Sequence, residues 1–373
     1  MPRILVADDQ TDILQALRLL LTDAGFDTDL VNSVPDVIDR VGQRSYDLLL
    51  MDLNYTRDTT SGREGLDLID SVRARDAALP VVVMTGWGSI DTAVDAMRRG
   101  AKSFVQKPWD DATLVEVVMR EVTEGQATRR RDATLAREYE EARLIQQTLL
   151  PQTMPTIAGC EVASQWVPAF GIGGDCFDVI RFSDTRIGIS IADVVGKGLP
   201  AALLMSNLQA AVRAFATPIA EPAAVCDSVN RLLCRNIATG KFVTFCYAVV
   251  DTAARTIVYA NAGHNHPILR RSDGGVDRLV TTGLVLGVAS DWAYTSGQFD
   301  IRPGDRLVCF TDGITEAISV DEEEFGDGRL LAAIDAAAHG SAEAITTGVM
   351  RAVRHWTGGE PQDDATLIAA RFV

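Results

Sequence analysis

The sequence predicts a doubly wound α/β domain first, then a helical connector, then an α+β layered β-sandwich. Three observations carry this. Over the first third, runs that are apolar throughout, such as "YDLLLMDL" and "PVVVMTG", alternate with helical patterns. That alternation marks a parallel sheet buried on both faces. A charged stretch then runs with no proline before Pro151, and beyond it strand and helix patterns come in separate blocks, as in layered α+β domains. At 373 residues the chain also exceeds what a single core usually serves. The expected division is 1–120, 121–152 and 153–373.

In the first domain "RILVAD" is a strand ending in acid, followed by a helix with Ile13, Leu17, Leu20 and Leu21 on one face. "YDLLLMDL", "PVVVMTG" and "AKSFVQKP" supply further strands, and "IDTAVDAM" a helix with Ile90, Ala93, Val94 and Met97 aligned. Ligands of such sheets bind beyond the carboxyl ends of the strands. Those ends carry Asp8 and Asp9, Asp52, Thr85, and Lys107 with Pro108. Three clustered carboxylates repel one another unless a divalent cation sits among them, and hard oxygen ligands select Mg²⁺. A facing hydroxyl and ammonium could hold a phosphoryl group on one aspartate. Taken singly, each would read as a solvated strand-end residue.

This segment resembles the receiver domain of two-component response regulators, a flavodoxin/CheY-like fold. The resemblance implies Asp52 as phosphoacceptor, Asp8 and Asp9 as Mg²⁺ acids, and the Asn54 carbonyl as a further ligand. It implies Thr85 and Lys107 as the phosphoryl-sensing pair, Phe104 as the switch aromatic, and a cognate histidine kinase as partner. Many receivers follow the acceptor with a short Met-Pro turn, whereas this chain has the longer "NYTRDTTSGREG".

The connector reads as a helix ended by Pro151 and Pro155. Leu135, Ala142, Ile145 and Leu149 form a thin apolar stripe amid charges, which suits a short coiled coil and a homodimer. The other reading is a helix packed on its own domains.

The remainder alternates Ile187, Ile189 and Ile191 in "RIGISIADV", and Val243, Phe245, Tyr247 and Val249 in "FVTFCYAVVD". A turn-forming "DTAA" joins the latter to "RTIVYANAG" as a hairpin. Acids recur at strand ends in four separated stretches: Asp175 and Asp178 in "GGDCFD", Asp193 in "IADVVGKG", Asp312 in "CFTDGITEA", and Asp363 with Asp364 in "QDDATLIAARF". Burial of a carboxylate is tolerated only when it is paired, hydrogen-bonded or metal-bound. No His or Cys cluster accompanies them, and an all-oxygen site selects Mg²⁺ or Mn²⁺. Two such ions would clamp phosphoryl oxygens and activate water.

In order, "IQQTLLPQTMP", "GGDCFD", "ADVVGKGLPAALLM", "NAGHNHPILR", "GDRLVCFTDGITEA" and "QDDATL" resemble the metal-dependent serine/threonine phosphatase (PPM) family, in its SpoIIE-like branch. The resemblance implies a PPM fold holding two Mn²⁺ or Mg²⁺ ions on Asp175, Asp193, Asp312 and Asp363. Asp193 would bridge them and the Val194 carbonyl would assist. Asp178 and Asp364 are then additional ligands or partners of the ligands. Many relatives carry an arginine before the glycines, where this chain has Phe170. The expected function is a phosphatase gated by phosphorylation at Asp52, acting on phosphoserine or phosphothreonine of an anti-sigma-factor antagonist in a partner-switching pathway. The alternative is a non-catalytic module that sequesters a partner when the receiver is phosphorylated.

Composition excludes other classes. Lys+Arg 35 against Asp+Glu 51 gives a net charge of -16, a field that repels nucleic-acid backbones. No run approaches the roughly 18 apolar residues of a membrane helix. The start, "MPRILVADDQ", lacks a signal-peptide layout, so a cytoplasmic location is expected. Six scattered cysteines without a C-x-x-C pair read as small buried hydrophobes. His264 and His266 read as local hydrogen-bonding groups, and "DEEEFGDG" as a solvated loop.

Overall fold

Apolar side chains on both faces of short strands build the first sheet. The computed structural model describes residues 1–55, 63–86, 90–238, 240–337 and 340–373, with residues 90 and 91 described by backbone alone. The middle of "NYTRDTTSGREG" and the side chain of Ile90 therefore lie outside the described residues. The chain divides into two units, Met1–Glu138 and Tyr139–Val373.

The first unit runs β1 (Arg3–Ala7), α1 (Thr11–Asp23), β2 (Asp27–Val31), α2 (Val34–Gln43), β3 (Leu48–Asp52), α3 (Arg63–Arg75), β4 (Val81–Thr85), α4 (Ile90–Arg98), β5 (Ser103–Gln106) and the start of α5 (Asp111–Leu149). Its strands are parallel in the order β2-β1-β3-β4-β5. Alternate residues feed opposite cores. Ile4, Val6, Leu48, Leu50 and Val82 meet Leu14, Leu17 and Leu21 of α1 and Leu114, Val118 and Val122 of α5. Leu5, Leu49, Met51 and Val83 meet Val37 of α2 and Leu66, Ile69 and Val72 of α3. A fully buried leucine such as Leu17 contributes about 1.5–3 kcal/mol.

Two helical faces differ from expectation. On α1, Leu14 joins Leu17 and Leu21 in the core, while Ile13 and Leu20 lie at its margin. On α4, Ala93 and Ala96 are buried and Val94 and Met97 are exposed. Small residues allow the helix to sit close to its neighbours, so the larger side chains face outwards. The expected connector, 121–152, is part of a longer helix that begins at Asp111, whose first turns close the core of the first unit through Leu114 and Val118.

The second unit holds β6 (Cys160–Val167), β7 (Cys176–Arg181), β8 (Arg186–Val194), α6 (Leu199–Phe215), α7 (Pro222–Asn236), β9 (Val243–Asp251), β10 (Thr256–Ala262), β11 (Ile268–Arg270), β12 (Val276–Arg278), β13 (Gly297–Asp300), β14 (Arg306–Phe310), α8 (Asp312–Thr315), α9 (Gly326–Ala336), α10 (Ala342–Thr357) and β15 (Ala365–Phe372). Two antiparallel sheets result, β13-β10-β9-β8-β7 and β12-β11-β14-β15-β6. The β9–β10 hairpin pairs Asp251 with Thr256, as the "DTAA" turn predicts.

Parity assigns the layers. From β14 and β15, Leu307, Cys309, Ile368 and Ala370 join Ile187, Ile189 and Phe245 of the first sheet in the inter-sheet core. Val308, Phe310, Leu367 and Ala369 turn outwards onto Ile345, Val349 and Val353 of α10. Helices α6 and α7 cover the first sheet. Burial on both faces explains why Gly188 and Ser190 of β8 are buried alongside its isoleucines, where simple alternation predicts exposure. Five cysteines are buried and all six are free. Among the described residues no helix is long and apolar enough to cross a membrane.

Candidate phosphoryl and metal sites

In the first unit the carboxyl ends of β1, β3 and β5 bring Asp8, Asp52 and Lys107 together. Lys107 Nζ lies 2.6 Å from Asp8 Oδ2 and 2.9 Å from Asp52 Oδ2. Ligand oxygens of Asp8, Asp9 and Asp52 all come within 4.8 Å of one another. Burial raises the Asp52 carboxyl above its ordinary range, against the pull of Lys107. Burial also pulls the Lys107 ammonium down, but Asp8 and Asp52 outweigh it and its pKa stands above the usual value. One ammonium for three carboxylates leaves an excess of negative charge suited to a divalent cation.

A cavity of about 240 Å³ opens beside these groups, lined by Asp9, Asp52, Asn54, Tyr55, Gly86 and Lys107. Thr85 is buried at the end of β4, and its carbonyl accepts from the Lys107 N–H at 2.7 Å. Phe104 is exposed on β5.

In the second unit the acids gather at one end of the two facing sheets. Asp175 precedes β7, Asp193 lies near the end of β8, Asp312 opens α8 after β14, and Asp363 and Asp364 precede β15. Asp175 is buried; its Oδ2 accepts from the hydroxyls of Thr311 at 2.7 Å and Thr366 at 2.6 Å. Its Oδ1 is buried with no hydrogen-bond partner. Burial, then the neighbouring Asp193, push the Asp175 carboxyl well above its ordinary range. Burial, then Asp312, Asp363 and Asp364, raise Asp193 to about 7. Asp312 is raised by burial and Asp363. Acids that raise one another are short of positive charge, and an orphaned buried carboxylate oxygen is costly without a cation. This donor set fits hard divalent ions.

The glycines of "GGDCFD" are there for close approach. A Cβ on Gly173 would stand 2.3 Å from Asp364 Oδ2, and one on Gly174 would stand 2.7 Å from the Val194 carbonyl oxygen. Asp364 receives the Ala169 N–H on Oδ1 at 2.9 Å and the Gly174 N–H on Oδ2 at 2.6 Å. It therefore clamps the loop bearing Asp175.

Asp178 is committed elsewhere. Arg213 of α6 grips it through Nε at 2.6 Å and Nη2 at 3.0 Å, and the Val179 N–H takes the remaining contact. Asp363 pairs with Lys197 Nζ at 2.8 Å. Among the described residues, only Asp8, Asp9 and Asp52 form an acid trio within 4.8 Å. The second-unit acids stand wider apart, as mutual repulsion and these side pairings favour.

Several participants escaped the sequence reading. Lys197 sits in the "GKG" next to Asp193, and Thr311 and Thr366 flank the acids in "FTDG" and "DDAT", so adjacency was their signal. Gln146 lies in the "IQQTLLPQTMP" motif, which gave it no role of its own, and Arg213 had no signal, since only tertiary folding brings it to the site. His264 is a core residue. Its Nδ1 lies 2.8 Å from Thr244 Oγ1, and burial pulls its pKa down to about 3, which keeps it neutral. In "DEEEFGDG" the acids are largely exposed and Phe325 alone is buried among them.

Comparison with known proteins adds family relationships. The profile of Stage II sporulation protein E (SpoIIE) matches residues 183–373, and that of the response regulator receiver domain matches 4–119. Protein IcfG of Synechocystis is 28% identical over 259 residues, covering 62% of this chain and 41% of its own length. Phosphoserine phosphatase RsbU of Bacillus subtilis is 34% identical over 180 residues, covering 48% and 53%. The chain thus spans about half the length of the curated relatives it matches. Among solved structures, the SiaA-PP2C domain of Pseudomonas aeruginosa superposes with a TM-score of 0.58 at 22% identity, over 65% of this chain and 98% of that one. The PP2C phosphatase domain of SpoIIE from Bacillus subtilis gives 0.52 at 16%, over 57% and 61%. These two likenesses establish the fold.

Proposed function

The chain belongs to the Stage II sporulation protein E (SpoIIE) family and carries a receiver domain ahead of the matched region, and from this premise we propose that it is a receiver-gated, metal-dependent protein serine/threonine phosphatase. Asp52 is the phosphoacceptor, with Asp8, Asp9 and the Asn54 carbonyl holding Mg²⁺, and with Thr85, Phe104 and Lys107 reading the modification. Asp175, Asp193, Asp312 and Asp363, with the Val194 carbonyl, hold two Mn²⁺ or Mg²⁺ ions.

The observation that carries the reading is the buried Asp175 Oδ1, which has no hydrogen-bond partner amid carboxylates that raise one another. When bound, paired divalent ions supply electrostatic stabilisation of a phosphoryl group and a water acidic enough to ionise near pH 7. The chain's own residues do the rest. Thr311 and Thr366 fix Asp175 by its other oxygen, so Oδ1 is left for a cation. Asp364 fixes the loop. Asp178 anchors Arg213 and serves as structural support rather than ligand. Lys197 is the ammonium beside the acids, and it offers the phosphate a positive partner that Phe170 cannot.

The substrate is a phosphoserine or phosphothreonine protein, supported by the likeness to an RsbU named as a phosphoserine phosphatase. An anti-sigma-factor antagonist in a partner-switching pathway, a cognate histidine kinase, a cytoplasmic location and a homodimer through α5 complete the proposal. The exposed Leu135 and Ile145 support the dimer.

The test is Mn²⁺-dependent phosphate release from a phosphoserine protein, with wild type and Asp193→Asn. Release is expected from the first and none from the second, with both folded by circular dichroism. Equal turnover would sink the assignment of the metal site.

A further inference from the structure

The last turns of α5 touch the metal loop directly. Gln146 is 2% exposed, and its side-chain amide pairs twice with one residue. Nε2 donates to the Gly173 carbonyl at 2.6 Å, and Oε1 accepts from the Gly173 N–H at 3.0 Å. Around it, the Tyr139 hydroxyl donates to the Phe170 carbonyl, and Gln209 of α6 donates to the Leu149 carbonyl. Tyr139 and Gln146 are seven residues apart, two helical turns, and so share one face of α5. Ile145 and Leu144 are exposed.

Gly173 is followed by Gly174, which Asp364 holds at 2.6 Å, and then by Asp175. The loop is therefore gripped from two sides, by an acid of the candidate metal site and by an amide of the connector helix. Glycine has the least intrinsic resistance to backbone movement, so outside contacts must supply the rigidity here.

We propose that Gln146 is a positioning residue for the metal site: its paired hydrogen bonds to Gly173 hold the loop so that Asp175 is aimed at the cation, and cation affinity depends on the seating of α5. This rests on the metal-centred reading above. Residues that orient ligands typically change metal affinity 10- to 100-fold when lost. The same contact makes α5 a lever, because a shift of the helix alters the loop without touching any acid.

The test is calorimetric titration of the full chain with Mn²⁺, carrying Asp9→Asn throughout to disable the receiver site. Gln146→Ala is expected to weaken binding at least about 10-fold, and Leu144→Ala, at an exposed neighbour, to leave it unchanged. Gln146→Met keeps side-chain volume while removing both hydrogen bonds, and it gives the same loss should the alanine variant fold poorly. Lower melting temperature with unchanged Mn²⁺ affinity in the Gln146 variants overturns the proposal and makes the residue simple packing. If the parent itself binds no Mn²⁺, the metal-centred reading fails, and this inference with it.

Discussion

Lys197 Nζ lies 2.8 Å from Asp363 Oδ2, and the same ammonium stands 5.9 Å from the centre of the Phe170 ring. Both partners of the ion pair are about half exposed, and pairs of that kind contribute only about 0–1 kcal/mol. Stability is therefore a poor reason for the contact. Charge is a better one. A phosphate approaching Asp193, Asp312 and Asp363 meets strong repulsion, and the Lys197 ammonium feels all three acids as well as Asp364.

Lys197→Met should therefore lower kcat/KM for a phosphoprotein about 10- to 100-fold, the size of a lost hydrogen bond to a charged group at roughly 1.5–3 kcal/mol. Its melting temperature should hardly move. Steady-state kinetics with thermal melts decide, and an unaltered kcat/KM would place the phosphate elsewhere.

His264 gives a pH signature. In the folded chain burial lowers its pKa to about 3, whereas an unfolded histidine titrates near about 6.5. Between those values the unfolded chain binds a proton that the folded chain refuses, so stability is complete above about 6.5 and falls with pH by up to about 1.4 kcal/mol per unit. The nearby His266 pushes the same way. In His264→Gln, urea midpoints at pH 7 and pH 4.5 should differ less than in wild type. An identical acid limb in both would mean that His264 already accepts its proton when folded.

Much of the fold was legible because burial on both faces leaves a signature in composition. "LLLMD" and "VVVMT" have no polar position until the final acid or hydroxyl, so strand, parallel packing and site fall in one reading. The acids at 175, 193, 312 and 364 stood out for the same reason, as charge where apolar residues were due. What escaped depends on contacts distant in sequence. Arg213 is 35 residues from Asp178, and Gln146 is 27 from Gly173. On α4 the period was visible but its phase was not: Ala93 of the expected stripe is buried, with Ala96 beside it, whereas Val94 and Met97 are exposed. Periodicity cannot tell an inward stripe from an outward one when small residues pack closest.

Asp52 is expected to be the single residue phosphorylated by a small acyl-phosphate donor, in a Mg²⁺-dependent way. Because burial raises its carboxyl pKa, its charge at neutral pH destabilises the fold without a cation, and that penalty grows as pH rises through the shifted value. Asp52→Asn should thus abolish labelling in intact-mass spectra while melting no lower than wild type in Mg²⁺-free buffer. Lys107 keeps Asp8 as partner in this variant. Persistent labelling would reveal a different acceptor.

The last prediction concerns α5 as the carrier of the signal. Within the first unit its Leu114, Val118 and Val122 are core residues, and Arg129 donates to the Tyr46 carbonyl and to Asp76, each at 2.7 Å. Within the second unit the same helix holds Gly173. Between these anchored ends Leu135 is 52% exposed and Ile145 63% exposed, with Leu144 exposed beside it, on a helix rich in charge. Apolar surface of that kind gains stability from a second copy, yet barely two heptads cannot hold a stable coiled coil alone. A pairing so marginal responds to whatever brings the receivers together, which is how a charge added at Asp52 would bias a two-state element. Ile145→Glu with Leu135→Glu, both at exposed positions, should therefore abolish the acyl-phosphate-induced rise in mass seen by light scattering, and the accompanying change in phosphate release, while unstimulated release stays within about twofold, because exposed substitutions usually cost little. A full response in the charged variant would leave α5 a passive tether.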